Sequence, residues 1–182
     1  MLLFAILAAA LLVGGALLFN RLVRLRNQVE AAWADIDVQL TRRHDLVPQL
    51  VTAVRAYAGH ERATLEAVTE LRARAVATES RGKLGQVESA LEQALSRIFA
   101  LREAYPELAA SENFAQLQRD LVEVEDHLQY ARRFYNGAVR DLNTAVQRVP
   151  DVLVAQAFGF REAEFFQAGS EARSPARVEI DP

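Results

Sequence analysis

The chain has 182 residues, 51% of them apolar and 25% charged, with a formal net charge of −3 and no cysteine. That length fits one domain; the missing cysteines exclude a disulfide scaffold, thiolate metal sites and a cysteine nucleophile, and the acidic balance argues against nucleic acid as a partner. A mean hydropathy near zero hides two regimes, because residues 1–19 hold no charge and the remainder holds all 21 Lys and Arg and all 24 Asp and Glu.

The uncharged run MLLFAILAAALLVGGALLF is 19 residues long, about 28 Å as a helix and close to the hydrocarbon thickness of a bilayer. No basic residue precedes it and it flows into Asn20-Arg21, a pattern that favours a retained anchor over a cleavable signal. Arg21, Arg24 and Arg26 follow at once, so the positive-inside rule places the soluble part in the cytoplasm. A buried core helix is disfavoured because the run is apolar on all sides.

Four helical stretches are expected after the anchor. In the first, Leu25, Val29, Trp33, Ile36, Leu40, His44, Val47, Val51, Val54 and Ala58 recur at spacings of three and four, so the anchor should continue as one long helix. Pro48 should remove one backbone hydrogen bond within it, and Gly59 should stop it. The second runs from Glu61 to about Ser80, with a tight connection expected over the double-glycine segment Ser80–Gly85. The third carries Leu84, Val87, Leu91, Ala94, Ile98 and Leu101 and should end near Ala104, ahead of Pro106. The fourth holds the clearest signal: Phe114, Leu117, Leu121, Val124, Leu128, Ala131, Tyr135, Ala138, Leu142, Ala145 and Val149 alternate by three and four, with Ser111 as N-cap and Pro150 as stop.

The fold expected is therefore all-α, an N-terminal transmembrane helix continuing into an antiparallel long-helix bundle of about four helices. The first and fourth stretches, Asn20–Ala58 and Ser111–Val149, are each 39 residues, about 58 Å as helices, and the middle two are about half that. Short connections then send the chain out from the membrane, halfway back, out again, and home. The organisation expected is an anchor over 1–20, a bundle over 21–150, an aromatic segment over 151–167 at the membrane-proximal end, and a disordered tail over 168–182. The aromatic segment gathers Phe158, Phe160, Phe165 and Phe166. These rings either plug the end of the bundle, the reading favoured, or lie in the interfacial layer as a second anchor.

Residues with chemical capacity are few and scattered. His44, His60 and His127 lack the spacings of di-iron bundles or zinc proteases, no nucleophile elbow or phosphate-cradling loop occurs, and neither a catalytic residue, a cofactor nor a metal is expected. His44 lies on the apolar stripe and reads as a satisfied core or boundary histidine. Asp35, Asp37, Arg42, Arg43 and Asp45 mix signs at helical spacing and read as a self-paired solvated face, with Asp37 the exception, placed to meet Arg132 or Arg133. Glu125, Arg132, Asn136 and Asn143 form a polar ridge beside the seam of the fourth stretch; control of register is the plainer reading and a polar binding groove the sharper one.

Taken together, RNQVEAAWADIDVQLTRRHDLVPQLVTAVRAYAGHE, YPELAASENFAQLQRDL, ARRFYNGAVRDLNTAVQRVP and AFGFREAEFF strongly resemble the LemA family, over about residues 21–166. The matching motif positions are Trp33, Asp35, Asp37, Arg42, Arg43, Asp45, Pro48, Tyr105, Pro106, Asn113, Phe114, Arg132, Tyr135, Asn136 and Asn143. Departures are Gln49, where the family often has Asn, and Val149-Pro150-Asp151-Val152, where Phe-Pro-Ser-Asn is more usual. The resemblance implies a bacterial inner-membrane protein with one N-terminal span and a cytoplasmic helical bundle, and it supplies no reaction. The function expected is a non-enzymatic scaffold or adaptor that meets the bilayer through residues 1–19 and acts by homo-oligomerisation or by binding another membrane protein. Membrane shaping or lipid sensing through the aromatic segment is the alternative, and an enzyme with an unrecognised site near His44 or Asn136 comes third.

Overall fold

A computed structural model describes residues 1–166. The tail expected over 168–182 lies outside the described residues. Among these residues the only regular structure is helical, in six segments: α1 (Leu2–Arg55), α2 (Arg62–Val76), α3 (Arg81–Ala104), α4 (Pro106–Ala109), α5 (Glu112–Gln147) and α6 (Asp151–Phe158).

Helix α1 is 54 residues long, about 81 Å of rise. Asn20 at the junction caps nothing and the passage from the uncharged run into the striped one stays helical, so one helix serves both. Pro48 sits inside it. Lacking an N–H, Pro48 leaves the carbonyl of His44 without its helical donor, and Arg72 of α2 fills the gap, its Nε donating to His44 O at 3.1 Å. The helix ends four residues before Gly59, where a Cβ would stand 3.0 Å from the carbonyl oxygen of Arg55. Glycine there lets the turn close against the last helical carbonyl.

The connection between α2 and α3 falls earlier than the glycines suggested. Ser80 adopts an extended conformation and its side chain accepts from Lys83 N, so the N-cap starts α3 at Arg81 and carries Gly82 and Gly85 into the helix, Gly85 buried. Pro106 fixes the next break: Tyr105 is pushed out of the helical region, and Pro106 opens the one-turn helix α4, which the periodicity did not foresee. Ser111 then caps α5 by accepting from Phe114 N. A turn containing a cis Val149–Pro150 peptide leads into α6, which closes on Gly159 at φ 72°.

The chain divides into two compact units, one of residues 1–42 and 123–165, the other of residues 43–122 with Phe166. In the first unit, Arg42–Glu123, Trp33–Tyr135 and Arg21–Asp151 meet in opposite chain order, so α1 and α5 run antiparallel there. Its interior is built from Leu22, Val29, Ala32, Ile36 and Leu40 of α1 and Val124, Leu128, Tyr135, Ala138, Val139, Leu142 and Val146 of α5. In the second unit, Val47, Leu50, Val51, Val54, Leu65, Val68, Leu91, Ile98, Leu108, Phe114, Leu117 and Leu121 form one continuous apolar cluster drawn from α1, α2, α3, α4 and α5.

Candidate functional sites

Three constellations concentrate polar or exposed aromatic chemistry, two in the first unit and one in the second. The buried one is ionic. Glu88 of α3 is fully buried, and its carboxylate takes Arg43 Nη1 on Oε2 at 3.0 Å and His44 Nε2 on Oε1 at 2.7 Å; Arg43 itself is 2% exposed. Adjacent positions on α1 thus converge on one carboxylate, which is the condition under which a buried charge is tolerated. Sequence reasoning placed Arg43 on a solvated face and His44 on the stripe; the missing partner, Glu88, interrupts an apolar face between Leu84 and Leu91, and that interruption was the available signal. Elsewhere in this unit the Tyr105 hydroxyl donates to Glu61 Oε1 at 3.0 Å. That bond to the carboxylate, then burial, then the negative charge itself push the phenol above its ordinary value.

The second constellation is a strap. After Gly159 the chain turns back along α5, and the side-chain amide of Asn143 grips Ala163 twice, Oδ1 accepting from Ala163 N at 2.8 Å and Nδ2 donating to Ala163 O at 3.0 Å. Tyr135 Oη donates to Glu164 O at 2.8 Å and Gln147 Nε2 donates to Glu162 Oε1 at 2.8 Å. Tyr135 also meets Trp33 edge-on at 5.4 Å. At the base of the strap, Asp151, 1% exposed, joins Arg21 at 2.7 Å and Arg148 at 3.3 Å. Phe158 and Phe160 pack edge-on against Phe19, at 4.9 and 5.7 Å, and Arg26 lies over the Phe160 ring.

The third is a groove between α1 and α5 in the first unit, open to solvent and about 430 Å³, lined by Asp35, Val38, Gln39, His127, Tyr130, Ala131 and Phe134. Val38 is 63% exposed, Tyr130 67% and Phe134 54%. Gln39 Oε1 is buried without a hydrogen-bond partner. Arg133 lies over the Tyr130 ring, 4.7 Å from its centroid.

The residues singled out from sequence are therefore distributed, not convergent. Trp33, Tyr135 and Asn143 belong to the strap and its footing; Arg43 belongs to the buried ionic cluster. Arg42 is exposed and pairs with Glu123. Arg132 is buried, with Nη1 3.7 Å from Glu125, and Asn136 is half-buried. Asp37 is exposed and meets neither Arg132 nor Arg133, which turn instead to Glu125 and Tyr130. Asp45 and Asn113 are exposed. Phe158 and Phe165 are exposed, Phe160 half-buried and Phe166 buried. The ridge on α5 resolves residue by residue: Asn143 grips a main chain, and Arg132 pairs within its own helix.

These features define an all-helical, membrane-associated protein with, among the described residues, one helix long and apolar enough to cross a bilayer and a strap gripped through its main chain. The LemA family model matches residues 32–181, and the chain belongs to the LemA family. Magnetosome protein MamQ 2 of Paramagnetospirillum magneticum is 25% identical over 186 residues, covering 86% of this chain and 67% of the relative. Magnetosome protein MamQ of Magnetospirillum gryphiswaldense is 23% identical over the same shares of the two chains.

Proposed function

We propose that this chain is a membrane-anchored scaffold that acts by assembling with copies of itself at the bacterial inner membrane, its helical part in the cytoplasm, and not by catalysis. The observation that carries this reading is the groove at Val38, Tyr130 and Phe134, where three large apolar side chains stay exposed together between α1 and α5. Its margins are oppositely charged, Asp35 on α1 and Arg133 over Tyr130 on α5. A second copy related by a two-fold axis meets acid with base and ring with ring, the self-complementarity that an isologous contact requires. Residues 1–19 anchor the assembly, and Arg21, Arg24 and Arg26 set its sidedness.

The test is the mass of the full-length chain in nanodiscs, by mass photometry and single-particle imaging. Particles holding several chains are expected, falling to single chains when Val38, Tyr130 and Phe134 are all replaced by Ser. Surface positions of this kind shift stability by no more than about 0.5 kcal/mol each, so helicity and melting should hold. Single chains before and after substitution would sink self-assembly. A different protein bound stoichiometrically to a single chain would replace it with an adaptor role.

A further inference from the structure

The exposed face of α6 needs a solvent. Leu153 and Phe158 are largely exposed, Val154 is half-buried, and Ala157 is exposed one turn beyond Leu153, whereas Asp151 and Ala155, also one turn apart, face inward. The outward side of this helix thus presents Leu153, Ala157 and Phe158 with Gln156 as its polar member, at the point where the chain is tied to α1 by Phe158 on Phe19 and by Asp151 on Arg21. Phe19 is the last residue of the uncharged run. By its contact with Phe19, α6 lies beside the end of the uncharged run, and Arg21 and Arg148 both join Asp151 at its first turn.

We infer that α6 is a second, monotopic membrane contact, with Leu153, Val154 and Phe158 seated in the lipid interface beside the anchor. The occupant is the bilayer because this side of α6 adjoins the uncharged run of α1, whose last residue, Phe19, Phe158 touches. The inference rests on the anchor in the proposed function but not on self-assembly. Gly159, in the left-handed region, turns the chain sharply so that Phe160 packs back on Phe19 and the strap leaves the interface. The arrangement is a short helix laid against the base of a spanning one.

The chain contains no cysteine, so single nitroxide labels report depth cleanly. The full-length protein carrying Leu153→Cys or Phe158→Cys, with Leu12→Cys as the spanning reference and Asp126→Cys as the aqueous one, is reconstituted in vesicles of phosphatidylcholine and phosphatidylglycerol. Collision with oxygen relative to a water-soluble nickel chelate should be several-fold higher at positions 153 and 158 than at 126, and below that at 12. Aqueous values at 153 and 158 with a lipid value at 12 would overturn the inference and leave the anchor standing. Suppression of both collision rates at 153 and 158 would mean that protein covers α6 and would also overturn it. An aqueous value at 12 would overturn the anchor and the inference with it.

Discussion

Both units have an apolar interior and a buried carboxylate, Asp151 in the first and Glu88 in the second, but they differ in what they leave exposed. In the second, the apolar side chains close into a continuous cluster and a carboxylate is buried among them, held by Arg43 and His44. In the first, α1 and α5 share an apolar interior and polar side chains fasten the strap onto it, through Asn143, Tyr135 and the Arg21–Asp151 pair, while Val38, Tyr130, Phe134, Leu153 and Phe158 stay exposed. The difference separates a part built to be self-sufficient from a part whose apolar surface is left for something outside it. Burying a charge is tolerable where it is paired, and a cluster of exposed apolar side chains marks a surface that something else covers.

The comparison breaks most sharply at Glu88. Replacement by Gln removes the negative charge that two basic groups share and leaves Arg43 buried without its anion; a loss of about 3–5 kcal/mol is expected, read as a lowered urea midpoint. A loss under 1 kcal/mol would mean that the cluster is solvated. Next is Asn143→Ala, which strips both partners from the Ala163 peptide and should cost about 1–3 kcal/mol, with proteases gaining access to 160–165 before the rest of the chain. Gly159→Ala forces a Cβ into the left-handed region, at about 1–2 kcal/mol, since φ is 72° there.

The Pro48 arrangement offers a finer cut. Arg72→Met removes the replacement donor to His44 O and should cost about 1 kcal/mol. With Pro48→Ala the helix supplies its own N–H to that carbonyl, so the cost of Arg72→Met should shrink in that background; an additive double-mutant cycle would show that Arg72 acts elsewhere. The smallest effect is ionisation at Tyr105. Its phenol is raised above the ordinary value of 10.0 by Glu61, so the contribution to stability is complete below that value and fades as pH climbs through the higher folded-state value. Tyr105→Phe should flatten the alkaline limb of the stability curve, and Glu61→Gln should bring the phenol back toward its usual range in an ultraviolet titration.

How legible this was depends on range. The stripes along α1 and α5 were plain because their burial obeys a local period: Val29, Ile36, Leu40, Val47, Val51 and Val54 are all buried, as are Phe114, Leu117, Leu121, Val124, Leu128, Tyr135, Ala138 and Leu142. Caps at Ser80 and Ser111 are likewise local, although the Gly82–Gly85 pair drew the eye past Ser80. What escaped depends on chain-distant partners. Arg43 looked like one charge among five on α1, and nothing in its own neighbourhood points 45 residues away to Glu88. Asn143 stood out beside the seam, but its partner is a backbone, which carries no residue signature. The groove was hidden for a related reason: Tyr130 and Phe134 on α5 face Val38 on α1 only after the helices meet.

Three of the hydrogen bonds that hold the strap reach main-chain atoms, the N–H and C=O of residue 163 and the C=O of residue 164. Those three bonds are indifferent to side-chain identity, so the path of the segment along α5 is set by positions 163 and 164 as backbone rather than as residues. It is intolerant of one residue at one place: proline at 163, which would withdraw the N–H from Asn143 Oδ1. The segment is thus a docking rail whose side chains at 163 and 164 are open to revision, and a saturation library across those two positions should lose members through Ala163→Pro and keep nearly all others folded.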